Sequence, residues 1–336
     1  MKNYYIRFAN HGDISDIMSF INKYWKAGHI LGTRRSFFEY EHLIDDRLNY
    51  ALALDCDSNE ILCLCGFLQS CKELSKGSVW DVIWKKKPEA PRGIGLEVID
   101  YIRLNCGTPR DFFVGLNAGT IPIHLGRGYL VDTLRHYYRL NMHKENYYVA
   151  NITQRHIPSY STSIPIRLIQ ISEGGDPLQN IIEKTDQQQP YKDYWYVCKR
   201  FVNHPIYKYD LWALKHINGC TNSLLITRTV HSKLGNVLRI VDFIGLHSEM
   251  GYIGSEIDRI IFERDCEYAD IYCYGVKEDY LFQMGFKLKI KEDNNVIPNY
   301  FEPFIQQNID IFFASPLKNG FYIFKGDADQ DRPNIL

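Results

Sequence analysis

Long apolar runs are missing from this sequence of 336 residues. The longest, residues 61–68, is interrupted at Gly66 and falls well short of the ~20 residues that a membrane-spanning helix needs. The start, Met1-Lys2-Asn3-Tyr4-Tyr5-Ile6-Arg7, has no apolar signal region, so a cytoplasmic protein without a membrane span is expected. A surplus of one charge is missing too: Lys+Arg number 39 against Asp+Glu 40, and the sequence pI is near 6.8. That balance argues against a basic nucleic-acid surface. Paired cysteine motifs are absent among the 9 cysteines. Cys63 and Cys65 have no second close pair to complete a zinc site, so the cysteines read as reduced thiols and no metal is expected. Asp327-x-Asp329-x-Asp331 starts like a calcium loop but has Arg332 where glycine is required, which rejects calcium. Neither a Walker loop nor a dinucleotide fingerprint is present, because Val98 stands where the third glycine after Gly93 and Gly95 should be.

Aromatic residues are plentiful, at 14% with 24 Tyr, and suit polar-tipped rings around a ligand cleft as much as a core. Chain length suggests about two domains at ~150 residues each, and an internal repeat gives that division substance. In the first half a buried strand, Val79-Trp80-Asp81-Val82-Ile83-Trp84, precedes a basic loop, Gly93-Ile94-Gly95 and a helix over 96–104. A strand at 111–115, a short helix and a Gly128-Tyr129 turn follow. The second half repeats this with a strand at 238–243, Gly254, a helix over 255–264, a strand at 269–274 and Gly285-Phe286. Gly95 to Gly115 spans 20 positions (115−95) and Gly254 to Gly275 spans 21 (275−254). Upstream, Ile14, Ile17, Met18 and Ile21 give residues 13–25 helical spacing. Hairpins are expected around residues 57–60 and at Asn218-Gly219. The expected organisation is a domain over 1–150, a linker over 151–190 and a second domain over 191–336.

A helical run, an antiparallel hairpin, then strand–glycine loop–helix–strand–helix–strand resembles the Gcn5-related N-acetyltransferase (GNAT) fold. The resemblance implies an α/β architecture with mixed sheets, here as two tandem GNAT-like domains. It implies acyl coenzyme A as co-substrate, its pyrophosphate received by Arg92, Gly93, Ile94, Gly95 and Leu96. The physical reason is independent of the family: small residues let amides at a helix N-terminus approach phosphate oxygens. The family's Arg/Gln position before this loop holds Ala90. Lys87, within Lys85-Lys86-Lys87, is placed for the coenzyme's 3′-phosphate or is simply solvated. Asn117 matches the Asn that follows the fifth strand in this family. His124 falls where the family often has a tyrosine that protonates the leaving thiolate; it is either that general acid or a packed ring. A backbone N–H near Ile83 or Trp84 is expected to polarise the thioester carbonyl. In the second half Ser248-Glu249 replaces the basic loop, so the first half is expected to hold coenzyme A and the second the acceptor.

The chain is similar, nearly end to end, to tandem-domain sugar N-acyltransferases of surface-polysaccharide (O-antigen, lipopolysaccharide) pathways. The similarity rests on residues 25–31, 136–141, 297–304 and 324–334. It implies an acyl-CoA-dependent enzyme acting on the amine of a dTDP- or UDP-linked deoxyamino sugar, as a monomer or homodimer. His29, Asp242, Tyr300 and Glu302 are the candidates for holding that sugar nucleotide, each with a structural alternative. The polar tail after Phe324 is a candidate cover for the active-site cleft or a solvated terminus. Acylation of a peptide or aminoacyl amine, or a non-catalytic coenzyme A or nucleotide sensor, are the other readings.

Overall fold

The computed structural model describes residues 2–108, 110–160, 166–171, 176–184 and 188–334. Strand β1 (Tyr4–Phe8) leads to helices α1 (Ile14–Phe20), α2 (Ile30–Thr33) and α3 (Arg35–His42), then to β2 (Tyr50–Asp55) and β3 (Ile61–Gln69). The first repeat continues with β4 (Val79–Lys86), α4 (Ile94–Asn105), β5 (Asp111–Val114), α5 (Ile121–Gly126) and β6 (Leu130–Thr133). Next come β7 (Arg135–Leu140), β8 (Ile166–Ile171), α6 (Asp176–Glu183) and α7 (Tyr194–Val197). The second repeat has β9 (Asp210–His216), β10 (Thr221–His231), β11 (Asn236–Ile244), α8 (Gly254–Glu263), β12 (Cys266–Tyr274), α9 (Glu278–Gln283) and β13 (Lys287–Leu288). Two short strands follow, β14 (Phe312–Ser315) and β15 (Ile323–Phe324).

These strands build two mixed sheets. Sheet one runs β1-β2-β3-β4-β5-β14-β6, and sheet two β8-β9-β10-β11-β12-β7-β13, with β15 also on β12. Each sheet has one parallel pair, β4 with β5 and β11 with β12, and all its other pairings are antiparallel. The mixed α/β class with two like sheets is the one expected from the repeat. The sheets nevertheless trade strands. β7 pairs with β12 in sheet two, while β14, from the second half, pairs with β5 and β6 in sheet one. The division expected at residue 150 thus separates sequence repeats, not sheets. Within the stretch expected as linker, β8 is the edge strand of sheet two, paired with β9.

Periodicity explains the layers. On α4, Ile94, Val98, Ile99 and Ile102 are buried against sheet one, an apolar stripe at helical spacing. Ile257, Ile260 and Ile261 of α8 do the same on sheet two. Strand alternation sends Trp80, Val82, Phe112 and Val114 to the opposite face of sheet one. There they share one core with Leu224, Ile226 and Val241 of sheet two and with Phe321 and Ile323 from the end of the chain. All nine cysteines are free thiols. Among the described residues no helix is long and apolar enough to cross a membrane.

Asp242 belongs to this shared region and does not reach a ligand cleft. It is fully buried, and Lys192 Nζ donates to both of its oxygens at 2.8 Å while pairing with Asp327 at 2.7 Å. Its expected contact with the sugar gives way to this triad, because a buried carboxylate among apolar neighbours takes the nearest cation. Removing one partner of a buried pair strands the others. Lys192→Met is expected to lower the unfolding free energy by about 3–5 kcal/mol, read from urea denaturation. A loss below about 1 kcal/mol would show that the two carboxyls are accommodated without the lysine.

Candidate functional site

The site begins where β4 leaves β5. Their ladder holds Val79 to Asp111, Trp80 to Phe112 and Asp81 to Phe113, and no further pair joins the two strands among the described residues. On its other side β4 slips register against β3 between Leu64 and Gly66. Ile83, opposite that slip, has φ +45°, a left-handed conformation that costs a β-branched residue about 1–3 kcal/mol and persists where surroundings impose it. The bulge turns β4 away, and the parallel pair opens into a splay.

A cleft of about 410 Å³ occupies this opening. β4 contributes Asp81 to Trp84, and the end of β5 contributes Phe113 to Asn117. A wide helical turn, Ile21–Trp25, ends the first helical run and brings Trp25 and Lys26 to the rim. Tyr300, Asp310 and the tail residues Asp329, Gln330, Arg332 and Asn334 form the opposite wall. The tail is therefore cleft wall and not a free terminus. Gln330 Nε2 donates to Val114 O at 3.2 Å, and a Cβ on Gly115 would sit 2.1 Å from that nitrogen. Arg228 grips both oxygens of Asp331, at 3.0 and 2.6 Å, and Arg332 pairs with Glu41 and Asp329 at 3.0 Å each. Against burial, which raises it, Arg228 holds the Asp331 carboxyl far below the usual carboxylate range.

The same splay exists in sheet two, between β11 and β12, and the chain itself fills it. β15 pairs with the end of β12. Lys325 N then donates to Tyr272 O at 3.1 Å and Gly326 N to Val241 O at 2.7 Å. A Cβ on Gly326 would lie 2.6 Å from Val241 O, so only glycine fits. The helix N-termini differ in the same sense. At α4, Gly93 is an exposed N-cap with φ +84°. The first amides of a helix, here those of Ile94 and Gly95, have no intrahelical acceptor. At α8, a Cβ on Gly254 would meet the Tyr160 side chain at 2.4 Å, and Arg139 donates to Gly254 O at 2.8 Å. Gly93 is thus open at one helix start, whereas Gly254 is covered by protein at the other.

Solved structures share this fold at low sequence identity. A protein of Pyrococcus horikoshii described as an acetyltransferase aligns over 100% of this chain and 95% of its own, at 10% identity and a TM-score of 0.51. A GCN5-related N-acetyltransferase from Anabaena variabilis aligns over 92% of this chain and 72% of its own, at 10% identity and a TM-score of 0.54. The chain has the GNAT fold. No family description and no curated protein matches its sequence.

Within the GNAT fold the expected site residues divide. Ile83, Trp84, Asn117 and Tyr300 meet in the cleft. Asn117 also caps the turn before α5, accepting from Gly119 N at 2.9 Å. Trp84 links cleft and glycine loop: its Nε1 donates to Gly95 O at 3.1 Å, and a Cβ on Gly95 would lie 2.8 Å from that nitrogen. Arg92 is exposed beside Gly93, and Leu96 is half-buried in the first turn of α4. Lys87 Nζ pairs with Glu60 at 2.7 Å, so it is not the free cation expected for a 3′-phosphate. His29 is fully buried, its Nδ1 accepting from Leu31 N, and burial pushes its pKa down to about 3. It supports Trp25, whose ring lies 4.6 Å away, and does not line the cleft. Glu302 accepts from Tyr207 Oη at 2.8 Å and from Asn334 N at 3.2 Å, which anchors the tail. Gln330 and Arg332 lie in the tail expected as a cleft cover, whereas Asp81 is a cleft residue outside the expected set. The signal for Asp81 was present, a carboxylate inside the apolar run Val79-Trp80-Asp81-Val82.

His124 lies behind the cleft, 1% exposed, with ring centroids of Phe113, Tyr129 and Trp84 at 4.3, 5.8 and 6.3 Å. Burial, with Arg127 adding to it, pushes its pKa down to about 4. Near neutrality the ring is uncharged, so the imidazolium expected as proton donor is not its resting form. The shift has a stability consequence. The unfolded chain protonates this histidine below about 6.5 and the folded chain only below about 4, so stability is complete above the first value and is lost as pH falls toward the second. The loss amounts to about 3 kcal/mol at most. His124→Phe should therefore narrow its stability gap to the parent between pH 7 and pH 4, measured by urea denaturation at each pH. Parallel curves would show that the ring titrates normally. The other buried histidines cancel in that difference.

Proposed function

We propose that the chain transfers an acyl group from acyl coenzyme A to the amine of a nucleoside-diphosphate-linked deoxyamino sugar. The observation that carries the donor half is the unequal state of the two splays. In sheet two an extended segment with amides satisfies the separated strand edges. In sheet one the same edges face an open cleft, where only the Gln330 side chain meets Val114 O among the described residues, and an extended ligand bearing amides would complete the rest. The pantetheine arm of coenzyme A is such a ligand, and the coenzyme's pyrophosphate then falls at the exposed N-terminus of α4. Residues 1–150 thus hold the donor, and residues 191–336 supply acceptor contacts through Tyr300 and the tail.

The reaction follows from this placement. The thioester carbonyl lies against the Ile83–Trp84 bulge, where a backbone N–H meets the oxygen as it gains charge. A neutral amine attacks the carbonyl carbon, a C–N bond forms, the C–S bond breaks, and the amine proton leaves to water as the thiolate departs. Amino groups on sugar rings ionise near neutrality, so positioning supplies much of the acceleration without a dedicated base. His124 acts here as a packed neutral ring behind Trp84. The acceptor wall is polar, with Asp310, Asp329, Gln330 and Arg332 available to hydroxyls and Tyr300 to a nucleobase face. That composition favours a polar acceptor such as a sugar nucleotide over an apolar one.

Thiol release from acetyl-CoA is the direct test. Release with dTDP- or UDP-linked amino sugars, and none with peptides, is expected; release with peptides alone would overturn the acceptor. A second measurement isolates the donor. Arg92→Glu reverses a charge at an exposed position beside the glycine loop, worth about 2 kcal/mol or more against a pyrophosphate. Coenzyme A affinity should fall at least about tenfold with the melting temperature unchanged. Unchanged affinity would remove the pyrophosphate from this loop.

A further inference from the structure

Lys325 is a buried lysine that pairs with no carboxylate among the described residues. Its Nζ donates to Asn299 O at 3.3 Å and lies 5.1 and 5.8 Å from the ring centroids of Tyr272 and Tyr300. The nearby acids are already engaged: Asp331 by Arg228, Asp270 by Arg239, and Glu302 by Tyr207 Oη and Asn334 N. Arg239 and Arg228 face the lysine from β11 and β10, His136 from β7 and Arg332 from the tail. Burial, with Arg239 adding to it, pushes its pKa well below the usual lysine value, against the pull of Asp331 and Asp270. That environment favours the neutral amine, whose lone pair can accept a proton.

The lysine borders a cavity of about 30 Å³, room for about two waters at ~10–15 Å³ each. Tyr300, Gln330, Arg332 and Asn334 line both this cavity and the cleft, which makes it a side chamber of the acceptor wall. Its walls carry buried polar atoms with no hydrogen-bond partner among the described residues, namely Asn299 Nδ2, Asn299 Oδ1 and Arg332 Nε. Native proteins match such atoms with protein groups or with ordered water. The N–H donors of Asn299 and Arg332 draw the oxygens of chamber waters toward themselves. The water hydrogens are then left for the acceptors, Asn299 Oδ1 and the Lys325 amine. A hydrogen-bonded path of this polarity runs from the cleft to the lysine.

We infer that Lys325 accepts, through water in this chamber, the proton that the attacking amine gives up. The inference rests on the acyl-transfer reading above and adds a relay to positioning. The N–H bond of the attacking nitrogen breaks as a chamber water takes the proton, and that water hands one of its own to Lys325 Nζ. The lysine later releases a proton to solvent, and the departed thiolate takes one from solvent. To test this, thiol release with the amino-sugar acceptor is followed from pH 5 to pH 9 in the parent, Lys325→Met and Lys325→Arg. Met takes no proton and Arg stays charged throughout, while both keep the main-chain bond from residue 325 to Tyr272 O. At pH 8 kcat should fall at least about tenfold in both variants, with KM for either substrate within about threefold of the parent. The gap should close as pH falls, because a protonated lysine accepts nothing, whereas a purely structural role would hold it constant. A gap independent of pH overturns the inference, as does recovery of kcat in Lys325→Arg or a loss confined to KM. Should one variant fail to fold, the other decides by the same pH comparison. Absence of thiol release by the parent with every acceptor overturns the acyl-transfer reading itself and this inference with it.

Discussion

Asp327 and Asp331, four residues apart, tie the end of the chain to sheet two, and each is held by a buried cation. Lys192 joins Asp327 to Asp242 of β11, and Arg228 of β10 takes both oxygens of Asp331. Arg332 then carries the segment across to Glu41, in α3 of the first repeat. Buried pairs of this kind contribute little net stability because desolvation offsets the attraction. Their strength is positional, since an alternative path for the tail would leave several charges buried and unpaired. With the tail so placed, Lys325 and Gly326 close the splay of sheet two and Gln330 and Arg332 wall the splay of sheet one. One segment thus decides which repeat is sealed and which stays open.

The asymmetry between the repeats is chemical as well as geometric. Both have a parallel pair that separates, and both have glycine at the following helix start. The second repeat answers its own separated edges with main-chain amides and covers Gly254 with Tyr160 and Arg139. The first leaves the edges to the cleft and leaves Gly93 exposed. The two like units thus differ, one leaving its splay to a cleft and the other closing its own splay with the chain's end segment. The traded strands β7 and β14 reinforce the division, because each sheet needs a strand from the other repeat and the two share one core.

Four sequence segments carried the resemblance, and three of them supply the cleft: Trp25 and Lys26, Tyr300, and Asp329, Gln330, Arg332 and Asn334. Their distances along the chain say nothing of this convergence. The fourth, at 136–141, is the exchanged strand β7, paired on both sides in sheet two. Its distinct composition reflects a doubly paired interior position, including the buried Arg139 at the second glycine loop.

Local pattern determined the elements. Apolar spacing marked α4 and α8, alternation and turn residues marked the two hairpins, and repeated glycine offsets marked two like units, because each signal is written within one helix or strand. The glycine loop and the Ile83–Trp84 strand were legible for the same reason. Long-range packing decided the rest. Whether Asp242 met a sugar or a lysine, whether Lys87 met a phosphate or Glu60, and whether His124 kept a proton depended on neighbours up to tens of residues away. The trade of β7 for β14 and the route of the tail are likewise absent from any local signal. They arise from matching unpaired strand edges and buried charges across the whole molecule, and only the folded chain brings those groups together.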